Sequence, residues 1–433
     1  MPEHDHSVRT IVGLEIHVQL NTRTKLFCAC PVRFGATPNS CVCPVCLGHP
    51  GTLPVMNRTA LEYAILTGLA LNCTIAEHTK WDRKSYYYPD LPKNYQISQY
   101  DLPLAEHGFF DVPDNGAPKR VRIRRAHLEE DAGKNIHDVP GCTLVDLNRA
   151  GTPLLEIVTE PDIASADHAY AFCVELQRLV TYLGVSHGVM QKGQIRFEPN
   201  INLAIQSDGN AYRTPIAEIK NLNSFRAVRA AVRYEHDRQL AAWRDDHDYQ
   251  IGRRPNENRG WNDEREITEF QRGKEAAHDY RYFPDPDLVP VEVADDTLAD
   301  IRRRLPELPL DRRRRFTDEF QLTEKDAATI VGHRATADLF DAVIDAGAPP
   351  ELAGKQFVNA WLKLANDRGV AVVDLGVDAA RIAELARITA DGTINRSAVD
   401  HIARAMLDDP APPGHLARTS GLIQVRDTDA TAA

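Results

Sequence analysis

"GLEIHVQL", residues 13–20, alternates apolar and polar side chains. A strand repeats every two residues, so Leu14, Ile16, Val18 and Leu20 face one way and Glu15, His17 and Gln19 the other. Taken alone this is an amphipathic strand with one wet face. Similar short segments, punctuated by Gly, Pro, Asn and Asp, run from residue 8 to about 290 and predict a sheet-rich region with some helices. From about residue 291 only helical patterns remain, so the expected fold class is α+β with an all-helical C-terminal part.

The pattern of the first strand recurs with chemistry on its polar side. "QIRFEPNINL" (194–203) sets Arg196, Glu198, Asn200 and Asn202 on one face and Phe197, Ile201 and Leu203 on the other. "NRAGTPLLEIVTEPD" (148–162) holds Glu156 in an otherwise apolar run, where a carboxylate is costly unless paired or bound to a metal. "RAHLEEDAGK" (125–134) carries three consecutive acids before a glycine. Carboxylates and one imidazole on several strands could line a concave sheet, and such a donor set suits Mg2+ or Mn2+ better than zinc. Phosphoryl transfer uses metal sets of this kind to neutralise charge on the moving phosphate. The plain alternative is a row of solvated strand faces.

"CACPVRFGATPNSCVCPVC" (28–46) gathers five of the eight cysteines. Cys28, Cys30, Cys43 and Cys46 read C-x-C-x12-C-x2-C, two knuckles able to close a tetrahedral zinc site with no open position. Cys41 is a fifth candidate, and small buried thiols without metal are the competing reading. Cys73, Cys142 and Cys173 stand alone and are expected in the core.

Three helices are expected in the first part. "TALEYAILTGLALN" (59–72) carries Leu61, Ile65 and Leu69, and a second helix spans 166–184 and stops at Gly184. The third runs from about Ser224 through Trp243 with Phe225, Val228 and Val232 on one face. Further on, Phe357, Trp361 and Leu364 form one apolar stripe; Ile382, Leu385 and Ile388 form another, and Val399, Ile402 and Met406 a third. The final "DTDATAA" has no core-forming pattern and is expected to fray.

The chain of 433 residues is 43% hydrophobic and 26% charged, the composition of a globular protein. No stretch approaches the roughly 20 apolar residues of a bilayer span, and the polar N-terminus lacks a secretory pattern. A cytoplasmic setting is expected, which disfavours disulfides. The net charge of −11 argues against broad nucleic-acid affinity. "IRRRLPELPLDRRRRF" (301–316) and the arginines of "SFRAVRAAVR" (224–233) are local exceptions, read either as polyanion-steering patches or as solvated helix faces. P-loop, dinucleotide and nucleophile-elbow motifs are absent, so any nucleotide must be held by metal and basic side chains. "DRKSYYYPDLPKNYQISQY" (82–100), with two lysines, Arg83 and five tyrosines, could supply them or could be a rigid aromatic loop.

These motifs, together with "KLFCAC", "PVCLGHPGTLPVMN", "EIKNLNSF" and "EAAHDYRYFPDPDL", closely resemble the B-subunit family of aspartyl/glutamyl-tRNA amidotransferases, from about residue 10 to beyond 400. The resemblance implies a cradle-shaped catalytic domain similar to glutamine synthetase over 1–290, a helical domain over 291–375 and a helical tail over 376–433. It implies ATP-dependent phosphorylation of the side-chain carboxylate of Glu-tRNA(Gln) or Asp-tRNA(Asn). Ammonia from glutamine, released by an amidase A subunit and delivered through a channel, then displaces the phosphate. A small C subunit completes a heterotrimer. Glu15, His17, Glu130 and Glu156 match the family's Mg2+ site, with Glu129 the neighbour to exchange for Glu130 if the register differs by one. Lys84, Tyr88 and Lys93 fall in a loop expected near the substrate, and Arg196 and Lys220 are further candidates for ATP or substrate. Cys28, Cys30, Cys43 and Cys46 match zinc ligands found in many members. Two departures stand out. "KGQIRFEPN" replaces a more usual "EGSLRCDAN", placing Lys192 for an acid and Glu198 for an aspartate, and the chain stops at Ala433, short of the family's tail, implying either a weaker grip on tRNA or a grip through other surfaces. Two other classes remain open: a tRNA-binding scaffold without catalysis, and a free-standing ligase acting on a small acid.

Overall fold

Strand β1 (Ser7–Gln19) contains the alternating stretch, and it buries Leu14, Ile16 and Val18 while the interleaved Glu15, His17 and Gln19 stay half-buried. The computed structural model describes residues 7–113, 118–137, 139–274 and 280–424. Among them β1 is a central strand of a ten-stranded sheet. Its other strands are β2 (Thr74–Ile75), β3 (Ala105–Val112), β4 (Lys119–Glu130), β5 (Pro153–Thr159), β6 (Ile195–Ser207), β7 (Asn210–Arg213), β8 (Ala217–Lys220), β9 (Asn256–Asn262) and β10 (Ile267–Lys274). The order is β10-β9-β8-β6-β1-β5-β4-β3-β2, with β7 paired to β6. The β8–β9 pair is parallel and its neighbours antiparallel, so the sheet is mixed.

Helices cover the apolar face. Helix α1 (Arg58–Ala70) is capped by Asn57, whose side chain accepts from the Thr59 and Ala60 amides. It buries Ala60, Ala64 and Ile65, whereas Leu61 and Leu69 of the expected stripe are only half-buried. Small residues win this face because the helix lies close to the sheet: a Cβ on Gly68 would stand 2.8 Å from Ile75 and 3.0 Å from Ala105. Helices α2 (Ala166–Tyr182) and α3 (Phe225–Asp245) are capped by Ser165 and Ser224. Phe172 of α2 meets Phe110 edge-on at 5.8 Å and Phe225 of α3 meets Phe197 at 5.9 Å, which seats both helices on the apolar side. Gly184, at φ +71°, turns the chain after α2. Three short strands, Asp82–Ser85, Tyr95–Ser98 and Phe283–Pro284, form a separate small sheet beside the polar face.

The chain divides into two compact units, Met1–Pro306 and Glu307–Ala433. The first therefore extends past the expected boundary at 290. Helix α4 (Asp295–Arg303) belongs to it, and Arg304 just beyond pairs with Glu62 of α1 at 2.9 Å. The second is helical throughout its described residues and shows no division at 375; its core includes Phe316, Phe340, Phe357 and Trp361. Leu364, Ile382, Leu385, Val399, Ile402 and Met406 are buried as expected, while Ile388 is half-buried. Two arginines of the basic run are occupied internally: Arg312 is buried against Asp338 and Asp341, and Arg315 pairs with Glu307 and Asp341. Arginines spent this way offer little to a polyanion. The terminal "DTDATAA" lies outside the described residues.

Candidate active site

The sheet register assembles the site. His17 of β1 stands directly opposite Glu156 of β5 on one side and Arg196 of β6 on the other. Glu156 is in turn opposite His127 of β4. One row across four strands thus reads Arg196, His17, Glu156, His127, all on the polar face. Two residues further along β4 the face is met again at Glu129, while Glu130 points to the opposite side.

Distances follow from that parity. His17 Nε2 lies 3.4 Å from Glu129 Oε1 and 4.0 Å from Glu156 Oε2, and His127 Nε2 is 3.2 Å from the same Glu156 oxygen. His17, Glu129 and Glu156 each offer a ligand atom within 4.8 Å of the others, the spacing of groups that share one ion. They line a cavity of about 650 Å³. Tyrosines line it too: Tyr100 and Tyr282 stack at 4.0 Å, and Lys84 sits 4.8 Å above the ring of Tyr280.

Burial sets the charge states. It pushes the His17 imidazole below its ordinary pKa, keeping a neutral ring whose lone pair is free to ligate. It also raises the Glu129 carboxyl well above its usual range, aided by the charge of Glu156. Burial would raise Glu156 too, but His127, His17 and Lys84 outweigh it and hold that carboxyl low. For Lys84, burial opposes the charge, yet Glu129 and Glu156 overcome it and raise the ammonium's pKa. Two carboxyl groups beside an imidazole offer the oxygen and nitrogen donors that suit a hard divalent cation.

A family model described as "GatB/GatE catalytic domain" matches residues 10–299, and a second, "GatB domain", matches 338–433. The chain belongs to the GatB family. Among its relatives are the B subunits of the aspartyl/glutamyl-tRNA(Asn/Gln) amidotransferases from Geotalea daltonii and Rhodopirellula baltica, each 44% identical. The Geotalea match covers 97% of this chain and 87% of the relative, the Rhodopirellula match 98% and 86%. The protein of the same name from Caldanaerobacter subterraneus is 42% identical over 96% of this chain and 86% of its own.

The other expected site residues of this GatB-family chain separate into two groups. Glu15, Lys84, Arg196 and Lys220 line the cavity. Glu15 accepts from Asn200 at 3.0 Å and stands outside the three-residue group. Arg196 donates to Asp131 at 2.7 Å, and Lys220 bridges Glu198 and Glu218 at 2.6 and 2.7 Å. Glu198, the departure from the family pattern, is therefore engaged by a lysine, and Lys192 lies 5.3 Å above the ring of Phe34. Glu130, Lys93 and Tyr88 are not brought to the cavity. Tyr88 is exposed, and Glu130 is buried in an ion pair with Lys93 while also accepting from the Ile97 amide at 3.2 Å. Strand parity thus brings Glu129, and not the expected Glu130, into the group with His17 and Glu156.

That buried pair gives a prediction. Glu130→Ala leaves the Lys93 ammonium without its partner, which costs on the order of 3–5 kcal/mol. A marked fall in melting temperature is expected for it, but not for Glu129→Gln, and thermal denaturation of both variants checks this.

Sequence reasoning singles out neither His127 nor the meeting of Tyr100 with Tyr282. The signal for His127 is present in "HLEED": counting by two from Glu129 reaches it.

The four thiols Cys28, Cys30, Cys43 and Cys46 also come within 4.8 Å of one another and could bind zinc. A hydrogen bond with Cys28 pulls the Cys46 thiol down to about 4, with the Cys43 amide and Lys25 adding to the effect against burial. Cys41 is buried outside this group, and its amide donates to Asn148 at 2.7 Å. Cys73 and Cys173 are core residues, but Cys142 is exposed, against expectation. Among the described residues no helix is long and apolar enough to cross a membrane.

Proposed function

We propose that this chain is the B subunit of a tRNA-dependent amidotransferase, converting Glu-tRNA(Gln), Asp-tRNA(Asn) or both to the amidated forms. It works with an amidase A subunit and a small C subunit, and its residues up to about 290 form a cradle of the glutamine-synthetase type. The observation that carries the reading is the convergence of His17, Glu129 and Glu156 in a cavity that also holds Lys84 and Arg196.

A free carboxylate resists attack by ammonia, so the side chain must first become an acyl phosphate. One carboxylate oxygen of the substrate attacks the γ-phosphorus of ATP and ADP leaves; ammonia then adds at the acyl carbon and phosphate departs. His17, Glu129 and Glu156 would hold Mg2+, which when bound supplies positive charge against the transferring phosphate. Lys84 and Arg196 stand ready to pair with phosphate oxygens. Lys220 is a further phosphate or substrate contact, reached by exchanging Glu198 or Glu218 for the ligand. The stacked Tyr100 and Tyr282 shield the acyl phosphate from water on one side. Glu15 completes the acidic side of the cavity, and the four-cysteine cluster carries a structural zinc away from the reaction.

The test uses the assembled heterotrimer, mischarged tRNA and ATP labelled at the γ-phosphate. Phosphate release that depends on Glu-tRNA(Gln) or Asp-tRNA(Asn) is expected. Release no greater than in a control without tRNA refutes the proposal, and turnover of ATP without any tRNA points to the free-standing ligase.

A further inference from the structure

We infer that His127 is a positioning residue, which fixes the Glu156 carboxylate for metal binding by donating a hydrogen bond to it. The inference rests on the metal reading above and extends it to a residue behind the ligands.

Sheet register puts the two side chains face to face, since Glu156 and His127 are direct cross-strand partners in the β5–β4 pair. The contact is 3.2 Å from His127 Nε2 to Glu156 Oε2. His127 is only 2% exposed, and its Nδ1 has no hydrogen-bond partner among the described residues. A charged carboxylate only accepts, so the ring must carry a hydrogen on Nε2 to meet it.

Geometry also separates the two histidines. His17 belongs to the group whose ligand atoms lie mutually within 4.8 Å, and His127 does not. The two rings flank the carboxylate from opposite strands, β1 and β4, with unlike tasks: the first ligates and the second holds the carboxylate in place. Without His127, one oxygen of Glu156 loses its fixed donor, and the group is free to turn toward Lys84. Partners of ligating carboxylates are typically worth about 10–100-fold in metal affinity.

The experiment titrates the full 433-residue chain, zinc-loaded, with Mn2+ alone and follows the free ion by electron paramagnetic resonance. Wild type, His127→Gln, His127→Asn and His127→Leu are compared, with folding checked by circular dichroism. Glutamine places an N–H near the position of Nε2 and is expected to keep most of the affinity. Leucine, and asparagine with its shorter reach, are expected to lose about 10–100-fold. Equal affinity in His127→Leu and wild type overturns the inference, and so does a loss in His127→Gln as large as in His127→Asn. Should the leucine variant fail to fold, the glutamine–asparagine contrast decides alone. A wild-type chain that binds no Mn2+ sinks the metal reading itself, a result distinct from either.

Discussion

Glu156→Ala, assembled with its partner subunits, is expected to lose tRNA-dependent phosphate release by about a thousandfold, and His17→Ala likewise. The size follows from what the residues supply: charge neutralisation by a bound metal is worth several kcal/mol, and about 1.4 kcal/mol is tenfold in rate. Glu156 is the central acid of the row, 3.2 Å from one imidazole and 4.0 Å from the other. Its removal takes away a proposed metal ligand and also a carboxylate that, with Glu129, raises the pKa of the Lys84 ammonium. In the proposed heterotrimer, hydrolysis of free glutamine by the A subunit should survive, because that chemistry is assigned there to another chain. Two rates measured on the same preparation therefore settle the matter. Parallel loss of both would mean a misfolded assembly, and phosphate release above a tenth of wild type would remove Glu156 from the machinery.

The row was partly legible in the sequence. "GLEIHVQL" alternates so cleanly that its wet face could be read directly, and an acid in the apolar run around Glu156 announced itself by its cost. "HLEED" was harder, because adjacent acids satisfy a composition argument equally well and only the strand phase decides between Glu129 and Glu130. The phase is fixed by pairing with β5, a contact between distant segments. The same holds for Tyr100 and Tyr282, which lie far apart in the chain and meet because the strand Phe283–Pro284 pairs with Asp82–Ser85. Lys93 illustrates the opposite error. Its place in a basic, aromatic loop suggested substrate, yet the fold spends it on Glu130. Charge alone does not say whether a lysine serves a ligand or the chain itself. The arginines Arg312 and Arg315 make the same point, since the acids they meet come from the facing helix Arg334–Asp345 and from Glu307.

The second large effect concerns the cysteine cluster. Purified chain is expected to carry one zinc, and Cys28→Ser or Cys46→Ser should remove it and lower the melting temperature steeply. Structural zinc contributes about 10–16 kcal/mol of apparent binding free energy in small zinc-finger peptides, so even a fraction of that exceeds most single-residue effects. The structure adds a local reason. Lys25 is fully buried, and its ammonium lies 3.4 Å from Cys46 Sγ and 3.4 Å from the Leu147 carbonyl. Thiolates bound to zinc stay anionic, and Cys46 is the one that Lys25 faces, so the thiolate is the counter-charge of a buried cation. The damage should spread. Asn39 donates to Asp146 and the Val145 carbonyl, and the Leu26 amide donates to the Gly151 carbonyl, so the clip braces the segment that leads into β5 and Glu156. The sign of a Lys25→Met substitution should therefore depend on the metal. In the zinc-loaded chain it removes the partner of a thiolate and is expected to destabilise. On a Cys46→Ser background the thiolate is already gone and the buried charge is a liability, so the same change should recover part of the lost stability. Metal analysis with thermal denaturation of the two single variants and the double variant reads this directly. A chain isolated without zinc that melts unchanged after chelation would reduce the four thiols to ordinary packing.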